Sequence, residues 1–212
     1  MRHPQYRANM SSLDAASSKV MRLGEFLEGS RTRLRLVELS DCGPRYLSWL
    51  RDPEVNRYLE TRWQLQTEES IRSFVEAMQA DPWSYLFCII DRQDGRHVGN
   101  VKLGPVSPRH LCADVSYFIG ERSCWGRGLA SEAIGLATDF GFRFLGLNRV
   151  QAGVYGSNLG SVKALERNGF RAEGCWRRQL RSGQEWEDHL WFGLLREEWQ
   201  AWQAAVRRLE PA

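Results

Sequence analysis

The sequence predicts a mixed α+β fold, a sheet flanked by helices, and three observations predict it. Hydrophobic periodicity switches between two residues and 3.6 residues in the order β-α-α-β-β-β-α-β-α-β-β-α. The strands cluster and only partly alternate with helices, which argues against a purely doubly wound sheet. The 212 residues are 42% hydrophobic and 26% charged, enough for one domain with a proper core and unlike a disordered chain. Two glycines, Gly126 and Gly128, stand between a strand and a long helical stretch, a position where phosphate loops occur.

The elements follow in chain order. Residues 1–30 carry no periodicity at first and are rich in Ser and Ala, so they read as a flexible tail. Residues 32–39 alternate polar and apolar, a half-buried strand. Ser40-Asp41 resembles a cap before a helix at 43–50, which Asp52-Pro53 breaks. Thr67 caps a second helix running to Ala80, with Ile71, Phe74, Val75 and Met78 on one face. Three strands follow at 84–91, 97–103 and 113–119, the first two joined by an Asp94-Gly95 turn. A helix is predicted at 126–144, a strand at 149–155 and a short helix at 159–167 that Asn168-Gly169 stops. A hairpin of 170–180 and 185–195 turns at Ser182-Gly183, and a terminal helix covers 197–209.

Composition narrows the function. The net charge is +3, yet of the 29 basic residues only Lys19, Lys102 and Lys163 are lysines, and nine Trp are present. Arg forks and aromatic faces suit nucleic acid or phosphate. The Arg residues are scattered among acids with no block of five like charges, so they read as solvated surface and no nucleic-acid partner is expected. Five cysteines (Cys42, Cys88, Cys112, Cys124, Cys175) show no metal-ligand spacing. They predict free thiols in a reducing compartment and no metal site. No stretch is apolar enough for a membrane span or a signal peptide, and a cytoplasmic location is expected.

The segment with chemistry is Trp125-Gly-Arg-Gly-Leu-Ala130. Its glycines permit positive φ and leave the backbone bare, so successive N–H groups at a helix start can form an anion nest. No acid opposes an anion until Glu132. A P-loop would need a Lys after Gly128, and a dinucleotide fingerprint a third Gly and a later acid; neither is present. A structural Gly-x-Gly cap remains the alternative.

Here the sequence resembles the general-control-related N-acetyltransferase family (GNAT), whose acyl-CoA signature is [Gln/Arg]-x-x-Gly-x-[Gly/Ala]. Gly128 and Ala130 match it, while Trp125 stands where the family usually has Gln or Arg. Trp-Gly-x-Gly is similar to the branch of RimJ/RimL-type ribosomal-protein N-terminal acetyltransferases. So are Ala113-Asp-Val-Ser-Tyr117, Ala130-Ser-Glu-Ala133, Asn158-x-x-Ser161, Asn168-Gly-Phe170, Gly99-Asn-Val-Lys-Leu103 and the stretch around Asp188. The resemblance covers 31–200, leaving 201–212 as a helix end. It implies a mostly antiparallel seven-stranded sheet, splayed between strands four and five, with the pantetheine arm of acetyl-CoA in the gap.

The resemblance also implies roles. Phe118 and Ile119 would lie beside the cofactor. Gly126, Arg127, Gly128, Leu129 and Ala130, with Trp125, would hold the pyrophosphate, Arg127 adding charge at the rim. Asn158 and Ser161 would approach the pantetheine and the thiol. An ammonium must lose its proton before it attacks a thioester, so a base is needed. Asp114 is the expected base, acting through water, with a structural carboxylate as the alternative. The family's usual Tyr acid falls at Leu165, so Ser161 is the expected substitute or a simple cap. Tyr58, Glu60 and Asp188 would line the acceptor cleft, or be core and surface groups. Three functions stay open: acetylation of a small-molecule amine such as an amino sugar, acetylation of a protein N-terminus, and non-catalytic acyl-CoA binding. A homodimer is compatible with the resemblance.

Overall fold

The structure, a computed structural model, describes residues 27–209. Seven strands form one sheet in the order β1-β2-β3-β4-β5-β7-β6. They are β1 (Thr32–Leu36), β2 (Tyr85–Asp91), β3 (His97–Leu103), β4 (Cys112–Ile119), β5 (Arg149–Tyr155), β6 (Arg171–Ser182) and β7 (Glu185–Leu195). All neighbours are antiparallel except β4 and β5. The helices are α1 (Pro44–Arg51), α2 (Pro53–Asn56), α3 (Glu68–Ala80), α4 (Leu129–Arg143), α5 (Leu159–Glu166) and α6 (Arg196–Leu209).

Strand alternation divides the core into two layers. Phe87 and Ile89 of β2 pack with Val101, Val115 and the α4 residues Ala133, Ile134, Ala137 and Phe140 on one face. Leu86, Cys88 and Ile90 pack on the other with Tyr46, Trp49 and Leu50 of α1 and Ile71 and Val75 of α3. The caps explain the helix starts. The Thr67 hydroxyl accepts from the Ser70 N–H at 3.0 Å, and the Asn158 Oδ1 accepts from the Ser161 N–H at 3.1 Å.

Four expectations shift. The helix predicted from Gly126 starts at Leu129, because Gly126 and Gly128 hold φ of +74° and +80°, outside helical space. Asp52-Pro53 ends α1 and also starts α2, the Asp52 carboxylate accepting from the Glu54 N–H at 2.9 Å. Phe74, assigned to the buried face of its helix, is 43% exposed. The last residues of the predicted tail are ordered: Leu27 is buried, and Ser30 donates through both N–H and hydroxyl to Glu132. The rest of that segment, like the final residues 210–212, lies outside the described residues.

The feature that positions the site is a gap. β4 and β5 pair only at Cys112↔Arg149, Ala113↔Val150 and Asp114↔Gln151. Beyond Asp114 both strands continue, to Ile119 and Tyr155, without pairing.

Candidate active site

A cavity of about 1000 Å³ occupies this gap and runs from the glycine loop to the underside of α1–α3. At one end the loop meets the start of α4. A Cβ at Gly126 would enter open space, and one at Gly128 would sit 2.7 Å from the Arg31 guanidinium. The bare N–H groups there face a helix N-terminus, an arrangement suited to an anion. The Trp125 indole N–H donates to the Ile119 carbonyl at 2.9 Å, tying the loop to the free end of β4. Phe118, Ile119, Trp125, Gly126, Gly128, Leu129, Ala130, Asn158 and Ser161 all line the cavity.

Arg127 does not. Its guanidinium donates to Asp91 at 2.7 Å and to Gln93 at 2.6 Å, and that pairing raises its pKa. The Asp91 carboxylate is 1% exposed, and a buried carboxylate outcompetes the cavity rim for the cation. Arg31 approaches the loop instead, donating to the Arg127 carbonyl at 3.4 Å.

Asp114 is the last paired residue at the closed end of the gap and is not among the lining residues. Its Oδ1 is buried with no hydrogen-bond partner among the described residues. Asp188 is also outside the lining. Its carboxylate faces β6, accepting from the Arg178 N–H at 2.9 Å and from the Cys175 thiol at 3.5 Å. Successive strand residues point to opposite faces, so the residue that reaches the cavity is its neighbour His189.

On the far wall, Ser161 and Tyr117 share a hydrogen bond of 2.5 Å between their hydroxyls. Burial pushes the Tyr117 phenol up to about 12. Leu165, where the family usually carries Tyr, is fully buried. Tyr58 and Glu60 line the acceptor end. Glu60 accepts from the Tyr155 hydroxyl at 2.5 Å, and Tyr155 in turn accepts from Arg62 at 3.0 Å. Burial and the Glu60 bond raise the Tyr155 pKa. The Ser157 hydroxyl donates to the Glu187 carboxylate at 2.5 Å and accepts from the Tyr58 hydroxyl at 3.1 Å.

The cavity residues to which the sequence assigned no role include His189, Tyr117, Tyr155 and Asn100. Asn100 is 2% exposed, and its amide N–H donates to the Phe87 carbonyl at 3.3 Å. Its Oδ1 lacks a partner among the described residues. Away from the cavity, Asp41, Cys88 and His97 bring ligand-type atoms within 4.8 Å of one another. Both Asp41 oxygens already accept from Arg35 at 2.7 Å, which holds the carboxyl at about 2 against the effect of burial, so the trio is explained by a half-buried ion pair.

Residues 31–171 match the acetyltransferase (GNAT) domain family. The chain is 35% identical over 126 residues to the probable N-acetyltransferase YjcK of Bacillus subtilis, covering 59% of this chain and 68% of that protein. It is similar in structure to Mycobacterium smegmatis RimJ in complex with CoA-disulfide, with 25% identity, a TM-score of 0.70, and 83% and 90% of the two chains covered. It also shares its fold with Vibrio cholerae spermidine N-acetyltransferase bound to CoA and spermine, with 20% identity, a TM-score of 0.71, and 81% and 99% covered. A sheet splayed after three residue pairs, a glycine loop at the head of α4 and a family match over two-thirds of the sequence lead to one conclusion: the chain belongs to the GNAT acetyltransferases and is an N-acetyltransferase.

Proposed function

We propose that the protein transfers an acetyl group from acetyl-CoA to the primary amine of a small molecule, by direct attack within a ternary complex. The observation that carries this reading is the continuity of the β4–β5 gap with the glycine loop at one end and a walled chamber at the other. The bare, positive-φ backbone of Gly126 and Gly128 fits a diphosphate, which the N–H groups of 126–130 would hold. Asn158 and Ser161 would approach the pantetheine and the sulfur. Acetyl-CoA brings an activated acyl thioester; the protein brings position, and holding amine and thioester together is a large share of the rate enhancement. A backbone N–H near Phe118–Ile119 would stabilise the oxyanion. The Ser161 hydroxyl, held by Tyr117, would face the departing thiolate in place of the family's usual Tyr. Asp114, outside the cavity lining, would need a water to reach an amine.

A small acceptor is supported by the chamber walls. Tyr46, Leu50, Val55 and Ile71, all buried, close it on the α1–α3 side. The likeness to RimJ favours a second reading, acetylation of a protein N-terminal amine. A thiol-release assay with acetyl-CoA decides between them. The panel is glucosamine, glucosamine 6-phosphate, spermidine and a short peptide with a free N-terminus. Turnover of a small amine supports the first reading, turnover of the peptide alone the second. Tight acetyl-CoA binding with no release on any amine would leave only a binding module.

A further inference from the structure

We propose that His189 is the general base that takes the proton from the acceptor amine. This rests on the acetyltransferase reading and names a residue that reading leaves open.

The geometry begins with the strands. His189 lies on β7 directly opposite Tyr155 of β5, and Gly153 is two residues back along β5. The His189 ring lies over Gly153: a Cβ there would be 2.2 Å from the ring Nε2. Only glycine leaves room for the imidazole at that point. β5 is one wall of the gap, and Gly153, Tyr155 and His189 all line the cavity. Nε2 therefore lies against the Gly153 backbone of the wall strand, with the His189 side chain bordering the cavity an acceptor would enter.

The second ring nitrogen bears on the tautomer. Nδ1 lies 2.7 Å from the Gln179 Oε1, a contact that favours the Nδ1–H tautomer with the Gln179 amide in this orientation. Nε2 is left with its lone pair, the form a base needs. The groups facing the ring are Trp176 and Gln179 from β6, Tyr155 from β5, Trp191 on its own strand and Glu60 from the 3-10 turn at Glu60–Trp63. Among these Glu60 is the one acid, and its charge favours protonation; burial is the larger influence and lowers the pKa below the ordinary histidine value. The imidazole is neutral at neutral pH. Asp114 is outside the cavity lining, and Glu60 is already bonded by Tyr155, so neither offers an equally free acceptor.

The step balances as follows. The amine nitrogen forms a bond to the thioester carbonyl carbon, and the C–S bond breaks with its electron pair staying on sulfur. The amine attacks in its neutral form, its ammonium proton having gone to solvent; the surplus proton on nitrogen then passes to Nε2, and the thiolate takes a proton from solvent, directly or through Ser161, which regains its own from water. The imidazolium returns its proton to water.

The test uses the full-length protein, acetyl-CoA and whichever panel amine the wild type acetylates. His189→Gln should lower kcat by about 10²–10⁴-fold, with the acetyl-CoA Kd from calorimetry unchanged. His189→Gly should recover part of its rate when imidazole is added. Nitrogen-15 NMR of the wild-type ring should show the Nδ1–H tautomer without any acceptor present. Unchanged kcat in His189→Gln, no imidazole rescue, or an Nε2–H tautomer would each overturn the assignment. Wild-type protein that releases no thiol with any amine removes the acetyltransfer reading and the base with it. Wild-type turnover with an unaffected His189→Gln removes the base alone.

Discussion

Glu132, in the first turn of α4, ties the start of β1 to the glycine loop, and replacing it by Gln tests how much that tie contributes. Its two oxygens accept five hydrogen bonds. Ser30 donates to Oε1 from N–H at 2.9 Å and from its hydroxyl at 2.7 Å. Oε2 accepts from the Arg31 N–H at 2.9 Å and from Thr32 through N–H at 2.6 Å and hydroxyl at 2.7 Å. In Glu132→Gln the amide keeps one oxygen, which can turn toward Arg31 and buried Thr32, while its NH2 group faces exposed Ser30, which can turn to water. What is lost is the charge behind three hydrogen bonds and the two bonds to Ser30, about 1–3 kcal/mol in all, the carboxylate itself being half-buried. For a chain of this size that is a melting shift of about 2–12 °C. The carboxyl pKa is lowered by the Ser30 and Thr32 hydroxyls and the Arg31 and Thr32 N–H groups, which outweigh burial. A lowered folded pKa gives stability that is complete above the unfolded value, about 4.3, and lost as pH falls through the folded one. Thermal melts of both proteins from pH 7 downward should therefore diverge at neutrality and converge in acid. A shift below about 2 °C at pH 7, or a gap that persists in acid, would refute the reasoning.

Further outcomes follow from the same contacts. Gly128→Asp should weaken acetyl-CoA binding by at least about tenfold in calorimetry, since it adds an anion and a Cβ 2.7 Å from Arg31 at a +80° φ; unchanged affinity would remove the loop from the site. Arg127→Ala should lower the melting temperature by stranding buried Asp91 while leaving the acetyl-CoA Kd within about twofold; a large loss of affinity would return Arg127 to the rim. Asn100→Leu should raise the KM for the amine more than that for acetyl-CoA in steady-state kinetics, because its unpartnered Oδ1 is an acceptor waiting for a ligand or water donor.

The sheet, its helices and the loop were legible because periodicity, caps and turn residues are local signals. The strand at Arg149–Tyr155 and the second hairpin strand at Glu185–Leu195 fall where the alternation places them. What the sequence could not supply is which side of a strand each residue takes. Asp188 was expected in the cleft, yet β7 pairs with β5 in unbroken register with His189 opposite Tyr155, so the strand presents His189 to the cavity and turns Asp188 toward β6. Which face of a strand meets a cavity depends on a partner strand distant in sequence. The fate of Arg127 depended on Asp91, 36 positions earlier, and the hold on Ser161 on Tyr117, 44 positions earlier. Local patterns do not encode those pairings. Bulk chemistry likewise pointed at Arg127, while the cations beside the loop are Arg31 and, over the Trp125 ring, Arg122.

The three-pair junction between β4 and β5 makes the sheet two plates joined along a short seam, β1–β4 on one side and β5–β7 on the other. Whatever lies in the gap acts as a splint across that seam. Ligand that binds only the folded chain adds about 2.7 kcal/mol at a hundredfold excess over its dissociation constant, so acetyl-CoA should raise the melting point as a function of its concentration. On the proposed reading, a donor held in the gap would form part of the chamber wall against which an amine seats. Productive turnover should therefore load donor first and acceptor second, visible as an amine that stabilises the protein against heat only when the donor, or CoA itself, is already present.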